Sequence, residues 1–252
     1  MLMNSLSYFL FRDIENKLLF KNDYLLPSIT IGYILFATWI GPSIMETRKH
    51  FALRKVMMVY NIFEVGVNVY LLQWIISTML QYRYVHCMPH DDPRYLSSYK
   101  KTLPLWWCIL LNKMFELLDT VFFVLRKKWN QLSGLHVMHH SVICILIWWG
   151  MRNPHKTGFY CLILLGNNIA VHSVMYTYYG LSGLGPHMAK YLWWKKYLTV
   201  LQMGQFVFNI AYVFIEFITG CEKAGTADIF ILAFIAFLLV LFLNFYRRKY
   251  SS

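Results

Sequence analysis

Residues 227–246 read ADIFILAFIAFLLVLFLNFY. One acid, Asp228, and one amide, Asn244, interrupt this apolar run, and it contains no lysine or arginine. About 20 apolar residues in a helix are enough to cross the hydrocarbon core of a bilayer. The stretch therefore predicts a membrane-spanning helix.

The composition of the whole chain agrees with this prediction. Of its 252 residues, 58% are hydrophobic, 18% aromatic and only 14% charged, which lies outside the range of soluble domains. The apolar runs lack the alternating period of barrel strands, so they indicate helices. We predict an all-α polytopic membrane protein with seven transmembrane helices and a single domain over residues 1–252. The predicted spans are 26–45, 57–80, 104–125, 135–151, 157–180, 192–218 and 227–246.

The basic residues predict an orientation in the membrane. The chain carries 24 Lys and Arg against 12 Asp and Glu, a net charge of +12. The side that holds the loops after spans one, three and five and the C-terminal tail has 13 Lys and Arg, including the pair that begins span six, and one acid, Glu46. The opposite side has 10 with seven acids. We expect the first side to be cytosolic, and its cations to meet phosphates and anionic lipid rather than nucleic acid.

The cysteines give no sign of a shared role. They stand at positions 87, 108, 144, 161 and 221, with no CxxC pair and no regular spacing. This pattern predicts neither a disulfide framework nor a thiolate zinc site. We expect these side chains to pack as small apolar groups.

Four consecutive spans carry polar residues at helical spacing, where lipid tolerates them only if they face inward. At 100° per residue, each set falls on one side of its helix. Interhelical hydrogen bonding alone is one explanation, but a lysine, three histidines and several acids, Glu64 and Glu216 among them, favour an internal tunnel or active site. The sets are Lys113, Glu116, Asp119 and Thr120; His136, His139 and His140; Asn168, His172, Tyr176 and Tyr179; and Gln202, Gln205 and Asn209.

The histidine cluster allows two kinds of chemistry. Neutral imidazoles on one helical face suit zinc or iron, although the other histidines form no second cluster of the kind that two irons need. Alternatively, imidazole acts directly as nucleophile and base, while Asp119 and Glu116 fix its tautomer. Cys144, one turn past His140, would be a poor nucleophile without a lowered pKa. We favour the direct role of imidazole.

The ordered motifs resemble those of the ELO family of very-long-chain fatty acid elongases, the condensing enzymes of the endoplasmic reticulum. The resemblance spans about 95 residues within the hydropathy profile of the seven spans. Its motifs are Lys113-x-x-Glu116-x-x-Asp119-Thr120, His136-Val-Met-His139-His140, Asn168-x-x-x-His172-x-x-Met175-Tyr176-x-Tyr178-Tyr179, and Trp193-Trp194-Lys195-Lys196-Tyr197-Leu198-Thr199-x-x-Gln202-x-x-Gln205-Phe206.

The resemblance implies a decarboxylative Claisen condensation of a long-chain acyl-CoA with malonyl-CoA, which needs no metal or redox cofactor. It implies a ping-pong route in which His139 takes the acyl group as an acyl-imidazole. It leaves His140, His136 and His172 to share the roles of base, orienting partner and oxyanion stabiliser, with Glu116, Asp119 and Tyr176 in support.

Two substrate-binding regions follow from this resemblance and from the charge pattern. Polar residues of the motifs would meet the substrates at the mouth of an apolar tunnel: Lys113, Asn168, Tyr178, Tyr179, Gln202 and Gln205. Cations at the predicted cytosolic helix ends would bind the phosphates of coenzyme A: Arg126, Lys127, Lys195, Lys196, Arg247 and Arg248.

The expected surroundings are the endoplasmic reticulum membrane, with the C-terminus and the basic loops in the cytosol. Expected partners are the bilayer, further copies of the chain and the other enzymes of the elongation cycle. The alternative functions are a metal-dependent desaturase or hydroxylase and a seven-helix transporter.

Overall fold

A computed structural model describes residues 13–221 and 225–250, and within these ranges the regular structure is entirely helical. The α-helices are α1 (Leu18–Lys21), α2 (Leu25–Leu35), α3 (Gly41–Glu46), α4 (Arg54–Gln81), α5 (Pro93–Phe115), α6 (Leu118–Leu125), α7 (Gly134–Arg152), α8 (Tyr160–Gly183), α9 (Lys195–Ile218) and α10 (Thr226–Tyr250). A π-helix (Phe36–Ile40) joins α2 to α3. Short 3-10 helices occupy Ile14–Asn16, Arg83–Val85, Pro154–Lys156 and Pro186–Tyr191.

The chain is a multi-pass membrane protein, but the predicted count of seven spans is not confirmed. In the described ranges, 5 helices are long and apolar enough to cross a bilayer. They are Leu25–Glu46, Arg54–Gln81, Gly134–Arg152, Lys195–Ile218 and Thr226–Tyr250.

The two remaining predicted spans differ from the rest for separate reasons. The stretch 104–125 is interrupted, because α5 ends at Phe115 and α6 begins at Leu118. At this break, backbone hydrogen bonds join residues three apart instead of four; for example, the Asp119 amide donates to the Glu116 carbonyl at 3.1 Å. The stretch 157–180 lies in one helix, α8, from Tyr160 onwards, but its asparagines, histidine and tyrosines reduce its hydropathy.

The chain divides into two compact units. The single domain expected from the sequence stays a prediction. The first unit covers residues 1–52 and 96–154. In it α2 packs against α7, and α3 packs against α6. Tyr33, Ala37 and Val137 form an apolar cluster between α2, the π-helix and α7. The Trp148 indole donates to the Leu19 carbonyl at 2.9 Å and so ties α1 to α7.

The second unit covers residues 53–95 and 155–252. Its helices pack in the order α4, α8, α9, α10. Glycines of α8 allow close approach to α4, as small residues do between membrane helices. At one end of the pair, the Arg54 guanidinium donates to the carbonyls of Gly183 (2.6 Å) and Leu184 (2.5 Å), which satisfies backbone groups at the end of α8.

A covalent link closes the other end of this unit. Cys87, in the connection after α4, forms a disulfide with Cys221, just past α9. Beside it, His86 Nε2 lies 3.2 Å from Glu216 Oε1. Where this connection meets α5, Arg94 donates to both carboxylate oxygens of Asp92, and this hydrogen bonding lowers the pKa of that carboxyl.

The disulfide corrects the cysteine prediction, which was wrong for two of the five residues. The partners are 134 residues apart in sequence, and spacing in the chain does not reveal which loops meet in the fold. The other three are free thiols: Cys144 and Cys161 are buried, and Cys108 is half-buried.

Candidate active site

The histidine cluster occupies the first two turns of α7, in the first unit. Ser133 caps this helix, its hydroxyl accepting a hydrogen bond from the His136 amide at 3.2 Å. The ring centroids of His136 and His140 are 4.4 Å apart, and those of His139 and His140 are 5.1 Å apart. His140 is buried, whereas His136 and His139 are half-buried. The partial positive charge of the helix N-terminus next to these rings favours negative charge that develops there.

A buried ion pair between Lys113 and Glu116 lies next to His140. At the end of α5, Lys113 Nζ lies 2.8 and 3.0 Å from the two carboxylate oxygens of Glu116, and both side chains are fully buried. Asn112 donates to the same carboxylate at 3.1 Å. The other Glu116 oxygen is 3.9 Å from His140 Nδ1. Such a network holds a carboxylate in one place beside the imidazole.

Thr120 connects the cluster to α2. Its hydroxyl lies 2.9 Å from His136 Nε2 and 2.6 Å from the Tyr33 hydroxyl. A hydroxyl has one hydrogen to donate and two lone pairs, so this chain of bonds fixes the orientation of the His136 ring. Thr120 and Asp119 are buried at the start of α6, directly after the break that follows Glu116.

The second unit holds the polar face predicted on α8. Asn168, His172 and Tyr176 are all buried. The ring centroid of His172 is 5.9 Å from that of Tyr176, which is itself 5.9 Å from that of Tyr60 on α4. Aromatic contacts at this spacing orient the His172 ring.

The remaining motif residues of the second unit lie farther along α8 and on α9. Tyr178 is buried against Trp194, with ring centroids 4.9 Å apart, whereas Tyr179 is 39% exposed. Gln205 is buried, and Gln202 contacts the Met175 sulfur at 3.8 Å. The Asn209 amide oxygen accepts from Asn167 at 2.9 Å.

The predicted phosphate-binding cations lie at helix ends. Arg126 and Lys127 follow α6, and Lys127 donates to the Glu46 carbonyl at 3.2 Å. Lys195 and Lys196 begin α9 and are exposed. Arg247 and Arg248 are exposed in the last turn of α10.

The structure thus brings Lys113, Glu116 and the three histidines into one network, and Asn168, His172 and Tyr176 onto one buried face. It also shows two contributors that the motifs omitted. Asn112 stands four residues before Glu116, so the helical spacing offered a signal for it. Tyr33 is a single tyrosine in an apolar span, and nothing in the sequence pointed to it.

Side chains of metal-ligating types also gather in the second unit. His86, Cys87, Glu216 and Cys221 have ligand atoms within 4.8 Å of one another. In this fold the two cysteines are joined to each other as the disulfide, and their sulfurs are therefore not thiolates.

Comparison with known proteins defines the class of protein. The family model described as ELO: GNS1/SUR4 family matches residues 18–252. Very long chain fatty acid elongase 4 of Macaca mulatta is 36% identical over 241 residues, which is 95% of this chain and 75% of the relative. Very long chain fatty acid elongase 7 of Drosophila melanogaster is 38% identical over 228 residues, 88% of this chain and 68% of the relative. Very long chain fatty acid elongase 1 of Mus musculus is 37% identical over 247 residues, 95% and 86% of the two chains.

The chain belongs to the ELO family. The resemblance seen in the motifs is confirmed, and with it the prediction of a membrane enzyme of fatty acid elongation. The alternatives of a desaturase and of a transporter are not favoured.

Proposed function

We propose that this protein catalyses the decarboxylative condensation of a long-chain fatty acyl-CoA with malonyl-CoA. The products are a 3-ketoacyl-CoA two carbons longer, carbon dioxide and free CoA, and the reaction takes up one proton. It is redox-neutral and needs no metal or cofactor, because decarboxylation itself generates the carbon nucleophile. The observation that carries the proposal is the His136, His139 and His140 cluster backed by the buried Lys113–Glu116 pair, in a chain of the ELO family.

In the first half-reaction His139 is the nucleophile. Its imidazole attacks the thioester carbonyl, the carbon–sulfur bond breaks, and the chain becomes an acyl-imidazole while CoA leaves. His140 accepts the proton that His139 loses and passes it to the departing thiolate. Glu116 lies 3.9 Å from His140 and stabilises the positive charge formed there; Lys113 holds Glu116 in place. His136 is the orienting partner, with its ring fixed by Thr120.

In the second half-reaction malonyl-CoA loses carbon dioxide, and the resulting enolate attacks the acyl-imidazole carbonyl. The new carbon–carbon bond forms as the bond to His139 breaks. The departing imidazole nitrogen takes up the one proton that the overall reaction consumes, and this regenerates neutral His139. An acyl-imidazole is an activated acyl donor, so the chain stays reactive while the substrates exchange. The family resemblance assigns an oxyanion-stabilising role to His172, which shares one buried face of the second unit with Tyr176. Asp119 supports the charges of the first unit.

Substrate binding follows from the two kinds of surface described above. Asn168, Tyr178, Tyr179, Gln202 and Gln205 contact the polar part of the substrates at the mouth of an apolar tunnel for the chain. The half-buried cations after α6 in the first unit and the exposed cations of α9 and α10 in the second unit each offer positive charge to a CoA phosphate. We place the enzyme in the endoplasmic reticulum membrane with these helix ends in the cytosol, in contact with further copies and with the enzymes that complete the cycle.

The test is a two-stage assay of the purified full-length protein. A panel of acyl-CoAs from medium to very long chain is added without malonyl-CoA, and the peptide that carries His139 is examined by mass spectrometry for one acyl group. Radiolabelled malonyl-CoA is then added, and 3-ketoacyl product is followed.

His139→Ala should lose both the adduct and the product, by about 10³-fold or more for a nucleophile. His155→Ala, an exposed histidine, is the matched control and should keep both. Product without an adduct on His139 would refute the acyl-histidine route, and absence of product from every acyl-CoA would refute the condensation.

A further inference from the structure

Four side chains at the disulfide end of the second unit form a cluster that the proposed chemistry does not use. His86, Cys87, Glu216 and Cys221 have ligand atoms that all lie within 4.8 Å of one another. The first two belong to the connection after α4, and the other two to the end of α9 and the residues that follow it. We call these four residues the disulfide cluster.

Within the disulfide cluster, Glu216 carries a buried charge that is only partly compensated. It lies near the end of a membrane-spanning helix and is 5% exposed. One carboxylate oxygen, Oε1, lies 3.2 Å from His86 Nε2. The other, Oε2, is buried and accepts no hydrogen bond from any described residue. Since a buried acceptor without a partner is costly, this oxygen is available to a cation.

The side chains of the disulfide cluster are of the types that bind zinc. Zinc takes thiolate, imidazole and carboxylate ligands in a tetrahedron, at about 2.3 Å for sulfur and about 2.0 to 2.2 Å for nitrogen and oxygen. In such a tetrahedron a nitrogen and an oxygen ligand lie about 3.3 Å apart, close to the 3.2 Å between His86 and Glu216. The same separation suits a hydrogen bond, so the two atoms can serve a hydrogen bond in one state and a metal ion in another.

The two sulfurs decide whether the disulfide cluster can bind zinc. As a disulfide, Cys87 and Cys221 offer no thiolate, and His86 with Glu216 supplies only two ligands, whereas a structural zinc site has four. Reduction supplies the other two as thiolates. Cys87 is exposed, so a reductant can reach the bond from water.

We propose that reduction of the Cys87–Cys221 disulfide converts the disulfide cluster into a zinc site. A dithiol reductant attacks one sulfur and the sulfur–sulfur bond breaks. Two electrons and two protons pass to the cysteines, while the dithiol is oxidised to its own disulfide. Zinc then displaces the two thiol protons to the solvent and binds both thiolates, His86 Nε2 and the Glu216 carboxylate.

The zinc ion would take over the structural role of the disulfide. In the oxidised protein a covalent bond links the connection after α4 to the end of α9. In the reduced protein the metal links the same two segments, because each supplies two of its ligands. The proposal is independent of the proposed function, since it concerns none of the residues assigned to condensation.

The test measures zinc bound to the purified full-length protein in micelles. Zinc is added before the reductant, so that the metal is present as the disulfide opens, and a phosphine is used because dithiols bind zinc themselves. After gel filtration in a buffer with a moderate zinc chelator, the bound metal is measured by elemental mass spectrometry. The reduced protein should retain about one zinc ion per chain, and the oxidised protein none. With cobalt instead of zinc, thiolate-to-metal absorption should appear only after reduction.

Two variants each remove one ligand and keep both cysteines, so that their folding can be checked in the oxidised form. They are Glu216→Gln and His86→Ala, and each should weaken zinc binding at least about 10-fold. His155→Ala removes an exposed histidine of the same unit, and Cys108→Ser removes a free thiol outside the cluster. Both of these controls should retain the zinc.

Zinc retention that does not rise on reduction would overturn the proposal. Equal zinc binding by the reduced wild type and by His86→Ala would also overturn it, because the metal would then be held by other groups. If neither ligand variant folds, the wild-type protein still decides, since zinc that stays bound after the disulfide re-forms contradicts the site. None of these measurements depends on whether the protein elongates fatty acids.

Discussion

The buried pair of Lys113 and Glu116 is the feature on which the site of the first unit depends most. Both groups are removed from water, and their charges are compensated by each other, by Asn112 and by the nearby His140. A buried ion pair adds little net stability over an apolar replacement, but removing one partner leaves a buried charge. The pair is therefore expected to respond very differently to single and double substitution.

Lys113→Met should lower the free energy of unfolding by about 3 to 5 kcal/mol, because it leaves the Glu116 carboxylate without its ammonium partner. Adding Glu116→Gln should recover at least half of this loss, since neither charge then remains. The measurement is denaturant unfolding of the single variants and the double variant in micelles, treated as a double-mutant cycle. A loss in the double variant equal to the sum of the losses in the two single variants would show that the two residues act independently.

The first membrane-spanning helix, Leu25–Glu46, contains two glycines with different surroundings, Gly32 and Gly41. Gly41 follows the π-helix where α3 packs against α6. A Cβ added at Gly41 would lie 2.7 Å from the Phe36 carbonyl oxygen and 2.9 Å from a Val124 methyl. At Gly32, earlier in the same membrane span, an added Cβ would have no neighbour within 4 Å. A larger side chain would therefore clash at Gly41 but not at Gly32.

Gly41→Ala should destabilise the protein by about 1 to 3 kcal/mol, because a backbone oxygen cannot move aside as a flexible side chain does. Gly32→Ala is the control and should be neutral or stabilising by up to about 1 kcal/mol, as alanine favours a helix over glycine. Thermal unfolding in micelles compares the two. Similar melting temperatures for both variants would contradict the close contact at Gly41.

The elements could be predicted from the sequence wherever the apolar run was the dominant signal. The stretch 227–246 falls within α10, since nothing in it competes with helix formation. The stretch 104–125 could not be predicted in the same way. Hydropathy does not detect the break between Phe115 and Leu118, because Phe115, Leu117 and Leu118 are as apolar as the residues of an uninterrupted span. The polar face itself was visible, because helical spacing survives a short interruption.

At the scale of the whole molecule, the sequence predicted the residues of the candidate active site, but it did not predict the disulfide. The histidine, lysine and glutamate of the motifs do meet in one network, because their spacing on helices determines which side they share. The Cys87–Cys221 bond joins loops that only the packing of α4, α8 and α9 brings together. The role of Tyr33 was not predicted either, because its partner Thr120 is 87 residues away in the sequence.

The proposed orientation predicts that the two ends of the second unit lie in different compartments. A disulfide forms on the oxidising side of a membrane, and the basic C-terminal turn of α10 belongs on the cytosolic side. In sealed microsomes an epitope placed after Ser252 should be removed by added protease, while Cys87 and Cys221 remain linked in the peptide map. As a control, detergent should leave the loss of the epitope unchanged and expose lumenal marker proteins. An epitope protected until detergent is added would reverse the assigned orientation.

The disulfide also limits how far the helices of the second unit can separate. At one end of this unit, the disulfide links the connection after α4 to the end of α9. At the opposite end, hydrogen bonds from Arg54 to two carbonyls link α4 to α8. Hydrogen bonds open and close on the timescale of a catalytic cycle, but a disulfide does not. At the disulfide end, separation of the α4 connection from α9 requires a covalent bond to break. At the Arg54 end, separation of α4 from α8 requires only the loss of two hydrogen bonds.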